Sequence, residues 1–420
     1  MNTTRTFALL VSLALLAALP TRADTLKAGF STERLARVDA VLDSYVSDGR
    51  VMGVVALVLR DGRPVYERAV GWSDKEAGRK MTLDTQFRIA SQTKALTSVA
   101  ILQLMEAGNL TVNDRAGKWI PAFERTSVYA RVGNSTTYTN VAAQRPIAIK
   151  DLLTHTAGIS YGQEPYIEPL YHAQGLGFAA GSGWYFADKD EPVCALMERL
   201  GTLPFIAQPG EKYVYGYNTD VLGCIVEKAS GEALDAYFRA HITGPLGMKD
   251  THFYLPPAER GRLAAVYGSG PGGKAVRMDD GPKGQGMYVD GPRKAFGGGA
   301  GLVSTARDYA TFLEALRLGG ALGKTRILSP HAVQLMTTNQ IGDLKNSNGL
   351  GFGYGFEIHD KYGVSGMESV GSWGWGGAYG SYYRVDPAER LTTVLMYQLM
   401  PNGTDLTDKF KASIYQALVD

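Results

Sequence analysis

Apolar residues recur along this chain with two periods, and the switches between them divide it into elements. From Ser31 to Asp48, the residues Leu35, Val38, Val41, Leu42 and Tyr45 repeat at helical spacing, which predicts an amphipathic helix capped by Ser31 or Thr32. Val51 to Arg60 is β-branched and apolar, Asp61-Gly62 makes a hairpin turn, and Pro64 to Gly71 alternates, so a hairpin follows that helix. The run from Phe87 to Met105 is of another kind. A short extended approach ends at Ser91, and beyond it strong helix formers are apolar on most faces until Gly108, placed as a C′ residue. This predicts a helix buried inside a domain with Ser91 at its N-terminus, where the plainer reading of the serine is an N-cap.

Further on, Leu110 to Asp114 leads into a polar, aromatic-sprinkled loop reaching Gln144, and Ile147 to Gly158 reads as a strand or turn feeding a short helix stopped by its glycine. Residues 159–190 are rich in Gly, Tyr and Trp without periodicity, which predicts an ordered loop and not a linker. Helical patterns return at Glu191 to Leu200 and Thr219 to Ala229, and loop character dominates from Tyr254 to Phe296. The glycine run Gly297 to Gly301 enters Leu302-Val303-Ser304, followed by a helix from Thr305 to Leu318 with Thr305 and Asp308 as a capping box. A helix from Pro330 to Thr337 follows, then strands at Tyr354 to His359, Tyr379 to Val385 and Leu391 to Tyr397. Asp386 to Glu389 turns between the last two, and a helix runs from about Asp405 to Leu418. Strands at both ends with helices between predict an α+β fold: a mostly antiparallel sheet flanked by helices, with an inserted helical subdomain. Residues 24–95 and 296–420 are assigned to the sheet, and 96–295 to the helical and loop part.

Composition adds compartment and excludes partners. At 420 residues the chain is long enough for one large catalytic unit with a subdomain. Met1 to Ala23 carries Arg5, an apolar run from Phe7 to Leu19 and a small-residue site, the pattern of a secretory signal peptide and not of a membrane span. Cleavage near Asp24 predicts a periplasmic or secreted protein. Removing Arg5 and Arg22 leaves basic and acidic residues in balance, so no nucleic acid or anionic surface is indicated. Export permits a disulfide between Cys194 and Cys224, and two buried free thiols fit equally well. The six histidines form no i, i+4 pair, which gives no support to a metal site.

The candidate chemistry starts from Ser91 and Lys94, which share a helix face one turn apart. A serine hydroxyl needs a group that takes its proton, and a helix N-terminus favours developing negative charge. Tyr215, in Tyr213-Val214-Tyr215-Gly216-Tyr217-Asn218, is a second candidate acceptor. Trp375-Gly376-Gly377 carries a glycine pair that, beginning a strand, would let its backbone approach a ligand and aim an N–H at an oxyanion. Three competitors are weaker. Gly158-Ile159-Ser160-Tyr161-Gly162 matches the nucleophile elbow, but a helix precedes it where a strand is required. His155, a possible base for Ser160, is better explained as a helix-terminal residue, and the glycines at 297–301 lack the lysine of a phosphate loop.

The chain resembles the serine β-lactamase-like superfamily of class C β-lactamases, penicillin-binding DD-peptidases and family VIII carboxylesterases. The likeness rests on Ser91-x-x-Lys94, Leu152 to Gly158, Pro209-Gly210 followed by Tyr215, Gly298 to Thr305, and Ile327 to Pro330. The resemblance implies a β-lactamase-like fold and an acyl-enzyme on Ser91, with Lys94 and Tyr215 sharing the proton and the N–H groups of Ser91 and Ala378 forming the oxyanion hole. Trp375-Gly376-Gly377 stands where class C enzymes carry Lys-Thr-Gly, the form of the family VIII esterases. With Tyr217 in the place of the family asparagine, these residues are expected to line the substrate site. The expected activity is hydrolysis of small, short-chain carboxylic esters without metal or organic cofactor. Alternatives on the same residues are β-lactamase or DD-peptidase activity, or a non-catalytic penicillin-recognition module.

Overall fold

The computed structural model describes residues 26–133, 137–177, 186–279 and 287–420. The expected leader and part of the 159–190 loop lie outside them. The centre is an eight-stranded antiparallel sheet. Its strands are β1 (Gly53–Arg60), β2 (Arg63–Asp74), β3 (Arg79–Lys80), β4 (Gly351–Phe352), β5 (Glu357–Ile358), β6 (Trp373–Gly376), β7 (Tyr382–Asp386) and β8 (Leu391–Met396). Across the sheet they run β4-β5-β6-β7-β8-β1-β2-β3, so the first and last thirds of the chain meet where β8 pairs with β1.

β1 explains why its sequence reads as a continuous apolar run. Val54, Ala56 and Val58 pack on one face against the helices α1 (Thr32–Ser47) and α5 (Leu406–Tyr415). Val55, Leu57 and Leu59 point the other way, into the main core with α2 (Thr93–Glu106), α3 (Asn218–Ser230) and α4 (Ala306–Arg317). A strand covered on both faces has no polar side to show. α2 is the innermost helix: from Thr93 to Leu102 every residue is buried, as its all-round apolar composition requires. That one core joins sheet and helices, and the expected division at residues 95 and 96 falls inside α2.

Ser31 caps α1, accepting the Arg34 N–H at 3.1 Å, and Thr305 caps α4, accepting from Asp308 at 3.2 Å. The Asp308 carboxylate does not complete a capping box, because it accepts from Asp250 and Thr251 instead. Ser91 is not a helix cap. It sits in a single 3-10 turn, Ala90–Gln92, ahead of α2. A hairpin, Ser127–Arg131 with Tyr138–Ala142, occupies the expected loop before Gln144; its strands are mostly solvent-facing, so no buried face imposed an alternation. The glycines of Trp375-Gly376-Gly377 close β6 where they were expected to open a strand. No helix among the described residues is long and apolar enough to cross a membrane.

Cys194 and Cys224 form a disulfide, joining the helix Val193–Gly201 to α3 with a sequence separation of 30. This resolves the two readings left open by the sequence. Replacing both cysteines by serine is expected to lower the free energy of unfolding by roughly 3–4 kcal/mol, chiefly by freeing the unfolded chain. Urea denaturation of the variant and the oxidised wild type measures the difference.

Candidate active site

The strand Phe87–Arg88 pairs with Val303–Ser304 and delivers the chain to a sharp corner. Ala90 holds that corner at φ +45°, a left-handed conformation costing a residue with a Cβ about 1–2 kcal/mol. Backbone held there needs a surrounding structure that over-determines it, and such positions cluster at working sites. The corner places Ser91 at the wall of a cavity of about 710 Å³, lined also by Tyr215, Trp375, Gly376 and Ala378.

Lys94, one turn into α2, is 1% exposed. Its Nζ donates to Ser91 Oγ at 3.2 Å, to the Tyr161 hydroxyl at 3.1 Å and to the Gly299 carbonyl at 2.7 Å. Three acceptors match the three protons of an ammonium. The ring of Tyr215 lies 4.7 Å from the same nitrogen, a cation–π distance. Behind this group is Asp220, whose carboxylate accepts the Gly299 N–H at 2.9 Å. Burial pushes the Asp220 carboxyl up to about 6 against the pull of Lys94 and of that N–H. Asp220 is thus a positioning residue: it grips the backbone of Gly299, which in turn holds Lys94. A Cβ at Gly299 would come within 2.4 Å of the carboxylate, which accounts for the glycine.

Tyr215 is fixed from two sides. Its hydroxyl accepts the Trp375 Nε1–H at 3.1 Å, and its ring packs against His155 at 4.6 Å between centroids. Trp375 therefore contributes both a wall and a hydrogen bond. At Gly377 a Cβ would lie 2.5 Å from the Ile89 carbonyl, so only glycine lets the chain leaving β6 pass this close to the Ser91 corner. Its N–H closes a turn onto Ser381 at 2.7 Å, leaving Ala378 exposed at the cavity wall.

Tyr217 departs from expectation. It is fully buried, its hydroxyl accepts the Gly177 N–H at 2.8 Å, and its ring supports Tyr161 edge-on at 4.8 Å. It lies beneath the site because it opens α3, and a residue at the start of that inward-facing helix is enclosed. Asn218 is buried too and donates to His155 Nδ1, Ile159 and Val214. His155 sits at φ +56° just past the short helix Ile149–Leu153, and burial lowers its pKa well below the usual imidazole range. Ser160 donates to Glu164 at 2.7 Å, so the elbow-like motif carries no serine–histidine pair. Its neighbour Tyr161 is the site residue that sequence reading missed. Burial, then Tyr215 and Asp220, raises the Tyr161 phenol well above its ordinary pKa, so it stays protonated.

Residues 38–417 match the model of the beta-lactamase family. The chain belongs to the beta-lactamase family. Within it, the chain is 33% identical to Esterase EstB of Burkholderia gladioli over 396 residues, covering 90% of this chain and 95% of that one. It is 29% identical to Lovastatin esterase of Penicillium rubens, covering 90% and 98%. Among solved structures, EstCE1, a hydrolase with promiscuous acyltransferase activity, superposes with a TM-score of 0.76 at 26% identity, covering 92% and 99%.

Asp220→Asn keeps an acceptor for Gly299 and removes the buried charge. The wild-type carboxyl titrates near 6 when folded and near 3.9 when unfolded, so its ionisation costs stability progressively as pH rises between those values. The variant is therefore expected to gain about 3 kcal/mol relative to wild type between acidic and neutral pH, measured by urea unfolding at both.

Proposed function

We propose that the protein is an exported serine carboxylesterase of the family VIII type, acting on short-chain esters through an acyl-enzyme. The observation that carries this reading is the contact of Lys94 with Ser91 at 3.2 Å on the wall of a cavity faced by Trp375. Ser91 Oγ attacks the ester carbonyl, and its proton passes to the Lys94 and Tyr215 pair, which in the reactive state holds one proton fewer than an ammonium and a phenol together and so has a site to take it. The carbonyl oxygen becomes an oxyanion held by the N–H groups of Ser91 and Ala378. The alcohol leaves with the proton returned by the pair, and water then hydrolyses the acyl-serine in the same way. Tyr161 and the Gly299 carbonyl keep Lys94 aimed at Ser91 throughout.

Substrate class follows from β6. An indole and two glycines, Trp375-Gly376-Gly377, offer an apolar wall and add no cation from β6 to the cavity side of Ser91, which suits an uncharged ester at the reacting end. The esterase names of EstB, Lovastatin esterase and EstCE1 support the same reaction class. The signal-peptide pattern of residues 1–23 supports export, and the Cys194–Cys224 disulfide fits an oxidising compartment.

Ser91→Ala is expected to reduce p-nitrophenyl butyrate turnover by at least about a thousandfold and to abolish labelling by a fluorophosphonate, whereas Ser160→Ala retains both. The reverse pattern overturns the assignment. Tyr215→Phe is expected to lower kcat by about a hundredfold or more, as loss of a general base does; a near-normal rate would leave the proton to Lys94 alone. A chromogenic cephalosporin hydrolysed faster than the butyrate ester would move the protein to the β-lactamases.

A further inference from the structure

The cavity continues past the reacting end along the sheet, and there its chemistry changes. β5, β6 and β7 are in register so that Glu357, Gly374 and Arg384 lie side by side, with Gly376 and Tyr382 paired next along. The face of β6 between Glu357 and Arg384 thus carries only glycine. A Cβ at Gly374 would fall 3.2 Å from Arg384 Nε and 2.3 Å from the Tyr383 carbonyl. The missing side chain is what lets the Arg384 guanidinium lie across β6. It reaches the Glu357 carboxylate with Nη2 at 2.7 Å.

This pair is satisfied on one side only. Glu357 uses Oε1 for Arg384, and its Oε2 accepts from Asn346 at 2.9 Å and Asn348 at 2.5 Å. Arg384 is 3% exposed; its Nε donates to the Tyr382 hydroxyl at 3.3 Å, and its buried Nη1 has no hydrogen-bond partner. Buried guanidinium N–H groups without acceptors are rare, and a charged one is costly to leave so. On the same wall stands Lys411 of α5, anchored to the Ser365 carbonyl at 3.2 Å and to the buried Glu368 at 3.1 Å. Asp408, the remaining acid here, is largely solvated at the rim. Of the acids here, Glu357 is saturated with donors, Asp408 is solvated, and Glu368, buried without a hydrogen bond to either oxygen, is met by the Lys411 ammonium as an ion pair; on the guanidinium, Nη1 is left wanting an acceptor.

We infer that the wall formed by Arg384 and Lys411 is a second subsite of the cavity, which binds a carboxylate carried at the far end of the substrate. The planar fork of arginine matches a carboxylate, and the apolar stretch beside Trp375 and Gly376 suits the methylene chain between the two ends. Arg384 stands two residues, roughly 7 Å, along the strands from the Gly376–Tyr382 pair, so the chain must have some length. The substrates are then monoesters of dicarboxylic acids or compounds of like form. This rests on the ester-hydrolase reading above, and the test separates the two.

The decisive comparison uses p-nitrophenyl monoesters of glutaric, adipic and suberic acid against the matching methyl p-nitrophenyl diesters, which differ only in the far charge. Wild type is expected to show kcat/KM about tenfold higher for the free acid at one or more chain lengths. That ratio is expected to fall to about one in the double variant Arg384→Gln/Glu357→Gln, both partners being changed so that no buried charge is left alone. Free suberate is expected to raise the Tm of wild type and not of the variant. Preference for the diester at every length in wild type, with no rise in Tm, overturns the subsite and leaves the hydrolase reading intact. Turnover of neither ester together with suberate protection overturns the hydrolase reading and leaves the subsite. An equal loss on both esters in the variant, with the ratio kept, makes Arg384 a structural residue and sinks the proposal.

Discussion

A buried ammonium has to be met by acceptors or it is not buried for long, and Lys94 is met by three, two of which come from distant parts of the chain. Ser91 lies in the turn just ahead of α2, Tyr161 in a loop after the short helix Ile149–Leu153, and Gly299 in a glycine run before α4. Each acceptor constrains its segment. Gly299 can present its carbonyl because Asp220 holds its N–H, and Tyr161 stays in place because Tyr217 supports its ring. The inserted helical part is thereby tied to α2 by the same nitrogen that faces the nucleophile, so packing and chemistry are not separable here. Loss of any one acceptor leaves a charge buried short of a partner, which is more costly than never having buried it.

The same constraint explains what the sequence disclosed and what it withheld. Helices with a one-sided or all-round apolar pattern, α1, α2 and α4, were legible because burial alone dictates them. The central strand β1 was legible as a continuous apolar run for the same reason. β6 was not, since glycine alternating with tryptophan leaves no apolar period to read, and the hairpin at Ser127–Arg131 faces water on most of its surface. Ser91, Lys94, Tyr215 and Trp375 stood out because their residue types carry chemistry at a recognisable spacing. Tyr161 was passed over because a tyrosine beside a decoy serine carries no signal of its own. Its place next to Lys94 follows from the path of a loop. Tyr217 erred in the other direction: a position two residues from Tyr215 was read as facing substrate, whereas the start of α3 turns it inward beneath the site.

Charge placement along β6 and β7 is the step that connects fold to specificity. Where the class C pattern sets a lysine beside the nucleophile, this chain has Trp375, which gives Tyr215 one neutral N–H and an aromatic neighbour. The cation of the sheet face is displaced to Arg384, farther from Ser91 and on the adjacent strand, and it is stabilised there by Glu357 across a glycine. A cation on β6, facing the bound ester, would select a charged group near the scissile bond; a cation farther along the sheet leaves the reacting ester neutral and selects its remote terminus. The glycines of β6 serve both arrangements. Gly377 admits the backbone to the Ser91 corner, and Gly374 clears the path for the guanidinium, so a single strand sets the reacting end and the distant wall of one cavity. A side chain at either glycine would therefore be felt at a different part of the substrate, although the two positions are only three residues apart in the same strand and the turn that ends it.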